Sequence, residues 1–267
     1  MYCIVTRKNI ILSIISLLIL SIITVSCFVF ASSTSSWGLS FSSPNDAPRG
    51  NATAEELLEN DAYFMDCSGE KCIYLTFDVG YEAGYTNSIL DTLKKHNVKA
   101  AFFIVGNYFT SDADTVKRMV DEGHIVGNHT KTHPDMSKMS TLEDFKAQIE
   151  PVEEQYKGIT GQDMPKYYRP PQGIYNTQNL KDAKSLGYKT IFWSVAYVDW
   201  EKNNQPSHEK AMNTLLKRVH NGAIILLHST SKTNMEILDE FLTTLENEGY
   251  TFKTLDDLGV TDWNLNL

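Results

Sequence analysis

The chain has 267 residues, 42% of them hydrophobic and 21% charged, and carries a formal net charge of −9 at pH 7. That length suits one catalytic domain with short extensions, and the composition is ordinary for a globular protein with a large core. The acidic balance argues against DNA or RNA as the main partner, because there is no basic excess to replace phosphate counterions.

The N-terminus departs from this average. Arg7 and Lys8 precede an uncharged apolar run over 10–31, 22 residues long. At about 1.5 Å of rise per residue, such a run just crosses a hydrocarbon core roughly 30 Å thick. It also exceeds the ~7–15 apolar residues of a cleavable signal. Val29-Phe30-Ala31 offers a cleavage site, but the length favours an uncleaved anchor over 1–31. Basic residues on the short N-terminal side place the remainder outside the cytoplasm. Residues 32–60 are rich in Ser, Pro, Asn and Gly and read as a tether, which leaves 61–267 for the folded domain. Cys67 and Cys72 bracket a turn-like Ser-Gly-Glu-Lys; in an oxidising compartment a bridge and two free thiols are both open.

From there, short β-branched or aromatic runs alternate with longer amphipathic segments. In chain order a strand at 72–77 precedes a helix at 86–96, a strand at 100–105 precedes a helix at 112–122, and a strand at 124–127 precedes a helix at 141–157. The pattern continues with strand 167–169, helix 176–186, strand 189–195, helix 208–220, strand 223–227, helix 234–248 and strand 251–255. Repeated strand–helix alternation predicts an α/β domain whose parallel sheet of about seven strands is closed, or nearly closed, as a barrel.

The unusual polar residues collect at the C-terminal ends of these strands, where a rigid sheet presents them at its mouth. Asp78 ends the first. His129 and His133 follow the third, and on a helical turn such a pair shares a face and grips one divalent ion. Arg169, Pro171 and Gly173 follow the fourth, Asp199 and Trp200 the fifth, and Leu226 and His228 end the sixth. Singly, each has an ordinary structural explanation: a capping Asp, a surface His pair, a loop Arg, a core Trp, a satisfied strand-end His. Five at successive mouths of one domain are hard to obtain from a structural protein.

The ordered set Asp78, His129-Thr130-x-x-His133, Arg169-x-Pro171-x-Gly173, Asp199-Trp200 and Leu226-x-His228 resembles the five motifs of the polysaccharide deacetylase family. That family is also called the NodB-homology domain or carbohydrate esterase family 4, and the likeness spans 72 to about 258. Within it, LTFD-x-GYE at 75–82, GHIVGNHTKTHPDM at 123–136, RPPQGIYN at 169–176 and FWSVAYVDW at 192–200 resemble the muramic-lactam branch. Members of that branch deacetylate N-acetylmuramic acid in spore cortex peptidoglycan on the way to muramic δ-lactam. The resemblance implies a distorted (β/α) barrel and metal-assisted amide hydrolysis. It also implies a peptidoglycan glycan strand as substrate; the expected state is a monomer, attached to the membrane through the apolar run over 10–31.

The roles it implies agree with the chemistry of the side chains. Asp78 is the general base, His129 and His133 hold a divalent ion such as Zn²⁺, and His228 is the general acid supported by Asp199. Arg169 orients Asp78 and lowers its pKa, while Trp200 and Leu226 wall a pocket for the acetyl methyl. One seat breaks the pattern: Val79 stands where an Asp usually follows the base as third metal ligand. The muramic-lactam branch carries an uncharged amide there. Two neutral imidazoles alone bind a cation weakly, so Asp78, a water, a substrate oxygen or, more remotely, Glu82 must complete the shell. The first Asp of the usual D-x-x-D-W is also absent, being Ala196. Competing readings are a deacetylase of chitin oligomers or wall N-acetylglucosamine, and a metal-free glycan-binding protein.

Overall fold

A computed structural model describes residues 34–259, and the expected anchor over 1–31 lies outside them. Among the described residues no helix is long and apolar enough to cross a membrane. The strands in chain order are β1 (Ser35–Ser36), β2 (Leu39–Ser40), β3 (Arg49–Gly50), β4 (Ala62–Tyr63), β5 (Cys72–Val79) and β6 (Ala101–Ile104). They continue with β7 (Ile125–Asn128), β8 (Tyr167–Tyr168), β9 (Ile174–Tyr175), β10 (Lys189–Ile191), β11 (Ala223–His228) and β12 (Thr251–Lys253).

A single hydrogen-bonded path, β11-β5-β6-β7-β8-β10-β4, runs through seven strands, all parallel, and β12 adds alongside β5. The sheet curls until Val195, just past β10, bridges to Ile225 of β11, where the Leu226 N–H donates to Val195 O at 2.8 Å. The result is a curled half-barrel. The expected strands at 72–255 all appear, but the seventh place on the path belongs to β4, and β12 sits to the side.

Strand β5 explains how the site is positioned. Its alternate residues Ile73, Leu75, Phe77 and Val79 pack into one apolar cluster with Ile89, Leu90 and Leu93 of the helix Thr86–Lys95 and with Ile237, Leu238 and Phe241 of the helix Lys232–Asn247. Cys72 and Tyr74 of the opposite face join Phe103, Ile125 and Ile224 in a second cluster inside the sheet's curl. Thr76 and Asp78 continue that inner row, because successive strand side chains point to opposite faces. Asp78 is therefore the last inward residue of β5.

Residues 34–60 are docked, in place of a free tether. β1 pairs antiparallel with β9, β2 with β3, and Thr53 caps the helix Ala54–Glu59. Trp37 is 6% exposed, stacks on Phe192 with ring centroids 4.5 Å apart, and donates its Nε1–H to Trp193 O at 2.9 Å. Composition suggested loose chain, but a buried indole with a satisfied N–H, the β1–β9 pairing and the Asn45 side chain on Leu216 O and Val219 O hold the segment in place. Cys67 and Cys72 are free thiols, so of the two alternatives the bridge is not the one formed. Burial, with Asp66 adding to it, pushes the Cys67 thiol up to about 11.

Candidate active site

Arg169, directly after β8, is fully buried. Burial of a guanidinium is tolerable only if its donors are satisfied. Here Nη1 donates to Asp78 Oδ1 at 2.8 Å, Nε to Ile191 O at 2.9 Å and Nη2 to Phe192 O at 3.2 Å, and the group lies 4.1 Å over the Phe103 ring. Asp78 is 7% exposed. Burial pushes its carboxyl up, but His129, Arg169 and His228 together outweigh that and hold it below the ordinary carboxylate range. It is an ionised carboxylate with a fixed orientation.

The two motif histidines converge by a route the spacing did not suggest. Residues 129–133 form no helix; Thr130 and His133 have φ of 70° and 56°, in the left-handed region. Asn128 Oδ1 accepts the Thr130 N–H at 2.9 Å, Thr130 Oγ1 accepts the His133 N–H at 2.9 Å, and Gln148 O accepts the Lys131 N–H at 2.8 Å. These bonds stabilise a turn that no helical pattern encodes. The imidazole centroids end 4.8 Å apart at 72°. His129 Nδ1 lies 2.8 Å from Arg169 O, so that nitrogen carries the proton, and Nε2 faces Asp78 Oδ2 at 3.4 Å. Burial pushes His129 down to about 4 and also lowers His133, so both are neutral at pH 7, the form a metal ligand needs.

On β11, where His228 is the register partner of Asp78, His228 Nδ1 meets Asp199 Oδ1 at 2.7 Å. Asp199 Oδ2 accepts the His228 backbone N–H at 2.8 Å and Asn234 Nδ2 at 2.5 Å, and Tyr197 in turn bonds Asn234. Burial pushes His228 down, but Asp199 outweighs it and the net shift is upward. Asn234 was not legible from the motifs, yet it completes this carboxylate's shell.

Asp78, His129, His133 and His228 line one cleft of about 790 Å³, together with Trp200, Leu226, Trp193, Tyr81 and Gln172, while Arg169 and Asp199 are not among its lining residues. Trp200 is 51% exposed and tilts over His228, with ring centroids 5.5 Å apart. Pro171 and Gly173 do not line the cleft; they build the turn Pro171–Gly173, which projects Gln172, at φ 58°, into it. A Cβ on Gly173 would lie 2.8 Å from the Trp193 ring, so that seat requires glycine. Glu82 is engaged at the start of the helix Thr86–Lys95, accepting Tyr108 OH at 2.7 Å and the Gly84 N–H at 2.5 Å. It is not among the cleft residues.

Among the described residues no group of three His, Cys, Asp or Glu is arranged to hold a metal. The donor set explains why. His129 and His133 supply two neutral imidazoles, but Val79 is fully buried in the cluster with Phe77 and Leu75 and does not line the cleft. The nearest carboxylate, Asp78, already has one oxygen on Arg169. Two of the expected ligands fit and the third protein donor is missing.

On a curled parallel half-barrel, an Arg-fixed carboxylate beside a carboxylate-held imidazole can supply the base and the acid that hydrolysis of an amide or ester carbonyl needs. The Polysaccharide deacetylase family matches residues 66–191. The chain is 44% identical over 223 residues to the peptidoglycan-N-acetylmuramic acid deacetylase PdaA of Bacillus subtilis, covering 83% of this chain and 84% of that protein. An uncharacterized 30.6 kDa protein of Geobacillus stearothermophilus is 46% identical over the same shares. The solved structure of PdaA, a family 4 carbohydrate esterase, superposes with a TM-score of 0.81 at 43% identity, covering 85% of this chain and 97% of that one. A family 4 carbohydrate esterase from Bacillus anthracis gives 0.71 at 37%, covering 85% and 96%. This protein belongs to the polysaccharide deacetylase family, carbohydrate esterase family 4, a family of hydrolases that act on N-acetyl amide bonds.

Proposed function

We propose that this protein is an extracytoplasmic peptidoglycan deacetylase that removes acetyl from N-acetylmuramic acid, on the way to muramic δ-lactam in spore cortex. The supporting observation is that Asp78, ion-paired with Arg169, and His228, ion-paired with Asp199, end neighbouring strands and line one cleft, in a chain 44% identical to PdaA. The membrane segment over 10–31 anchors it, and it acts as a monomer.

In this reading Asp78 takes the proton of the attacking water. Arg169 keeps it ionised and aims its free oxygen at the cleft. His228, protonated through Asp199, gives a proton to the leaving nitrogen, so acetate and a free amine depart. Trp200 and Leu226 wall the methyl, and the turn at Pro171–Gly173 closes the floor. A divalent ion, Zn²⁺ in this reading, held by His129 and His133, supplies Lewis-acid polarisation of the acetyl carbonyl when bound. With no third protein ligand it is held weakly. The test is mass spectrometry of defined glycan strands after incubation with the chain, with and without added Zn²⁺. Loss of acetyl from muramic residues, with lactam closure, is expected. Loss from glucosamine alone, or none at all, sinks the proposal.

A further inference from the structure

We propose that Lys131 is the residue that reads the lactyl carboxylate of the muramic sugar. The inference rests on the substrate reading above and extends it to the feature that separates N-acetylmuramic acid from N-acetylglucosamine. That feature is a lactyl ether on C3, whose carboxyl is the difference in charge between the two sugars. C3 is vicinal to C2, which bears the acetamide. An acetamide presented to Asp78 and the two imidazoles therefore keeps the lactyl group within a few atoms of the reacting carbonyl, in reach of the loop that carries those imidazoles.

Lys131 sits in that loop, between His129 and His133, and lines the cleft. It is the one lysine or arginine among the described residues lining the cleft. The carboxylate that lines the cleft, Asp78, and the one behind it, Asp199, already have counter-charges, Asp78 in Arg169 at 2.8 Å and Asp199 in His228 at 2.7 Å. The Lys131 ammonium has no hydrogen-bond or ion-pair partner among the described residues, so the cleft keeps one uncompensated cation in a chain of net charge −9. Its backbone is held while its side chain is free. The Lys131 N–H donates to Gln148 O at 2.8 Å, Gln148 Oε1 accepts the Thr132 N–H at 3.1 Å, and a Cβ on Gly106 would lie 2.8 Å from Lys131 O. A fixed root with an unpaired ammonium is what recognition of a mobile carboxylate asks for, since the backbone's ordering cost is already met.

The experiment compares the full chain with its K131Q and K131R variants. The substrates are a muramic glycan with free lactyl carboxylates, the same glycan with those groups converted to methyl amides, and an N-acetylglucosamine oligomer. Acetate release yields kcat and KM separately. K131Q should lose about tenfold in kcat/KM on the free carboxylate, mainly through KM, the scale of one charge-assisted hydrogen bond. It should match wild type on the methyl amide, and K131R should recover most of the loss. Equal activity of K131Q and wild type on the free carboxylate overturns the inference. So does an equal loss on carboxylate and amide, which would mark a merely structural role. A wild type that cleaves only the glucosamine oligomer overturns the substrate reading, and the inference with it.

Discussion

Replacing Asp199 by Asn tests the acid half of the site. The carboxylate lies 2.7 Å from His228 Nδ1, and its other oxygen accepts the His228 N–H and Asn234 Nδ2. In the variant the amide oxygen keeps those two donors, so its NH₂ turns to Nδ1 and favours neutral imidazole. Unit charges 2.7 Å apart attract by roughly 1.5 to 6 kcal/mol for effective dielectric constants of about 80 to 20. At 1.36 kcal/mol per unit, that is about 1 to 4 pKa units. The His228 side chain is 23% exposed, so solvent screening favours the lower end. With Asp199 neutral, the burial that pushes His228 down is no longer outweighed. The sign follows: His228 acts in its protonated form, its pKa is raised in wild type, and activity declines as pH climbs through that pKa. In Asp199→Asn the alkaline limb of kcat/KM against pH should move to lower pH by at least about one unit. The His228 ring NMR titration should move with it. A limb that stays where wild type has it would remove His228 as the acid, or Asp199 as its support.

The base half is tested by Asp78→Asn, which keeps the Arg169 hydrogen bond but cannot take a proton; acetate release should fall by about 10²–10⁴-fold, and activity near wild type would exclude Asp78. Arg169→Met strands a buried carboxylate and two carbonyls, and should cost about 3–5 kcal/mol in a urea melt; an unchanged midpoint would show that the ion pair contributes nothing. Val79→Asp puts a carboxylate into the cluster of Phe77 and Leu75 at a cost of several kcal/mol, a drop of about ten degrees in the Tm of metal-stripped protein. An unchanged Tm would mean that position 79 reaches the cleft, and added Zn²⁺ should then bind more tightly than to wild type.

The alternation of β5, β6, β7, β8, β10, β11 and β12 with helices was legible from β-branched or aromatic runs between amphipathic stretches, and the two-residue β9 was not. β4 and the helix Gly106–Ser111 were not, since two and six residues carry no period. The motif residues that face the cleft, Asp78, His129, His133, Trp200, Leu226 and His228, were named from their places at strand ends. What failed was local direction. The histidine pair was read on a helix because nothing in Asn-His-Thr-Lys-Thr-His marks the left-handed Thr130 and His133. Val79 was read as an emptied ligand seat, although counting by twos from Leu75 and Phe77 already assigns it to the core. Gln172 escaped because its place in the cleft depends on the turn around it and not on its own chemistry.

The seat of Trp37 has a consequence for the order in which the molecule assembles. Its partner, Trp193 O, lies 156 residues further along, and β1 pairs with β9 across a comparable separation. Contacts that distant form late, after nearby strands and helices have paid their own loop entropy. The wall behind Trp193 is therefore completed by the first described residues of the chain and among the last steps of folding. A helical signal should recover in refolding before Trp37 quenches on Phe192, and catalytic competence should follow the slower of the two. A fragment begun at residue 61, where composition sets the boundary, would fold its sheet and wait for a wall that never arrives.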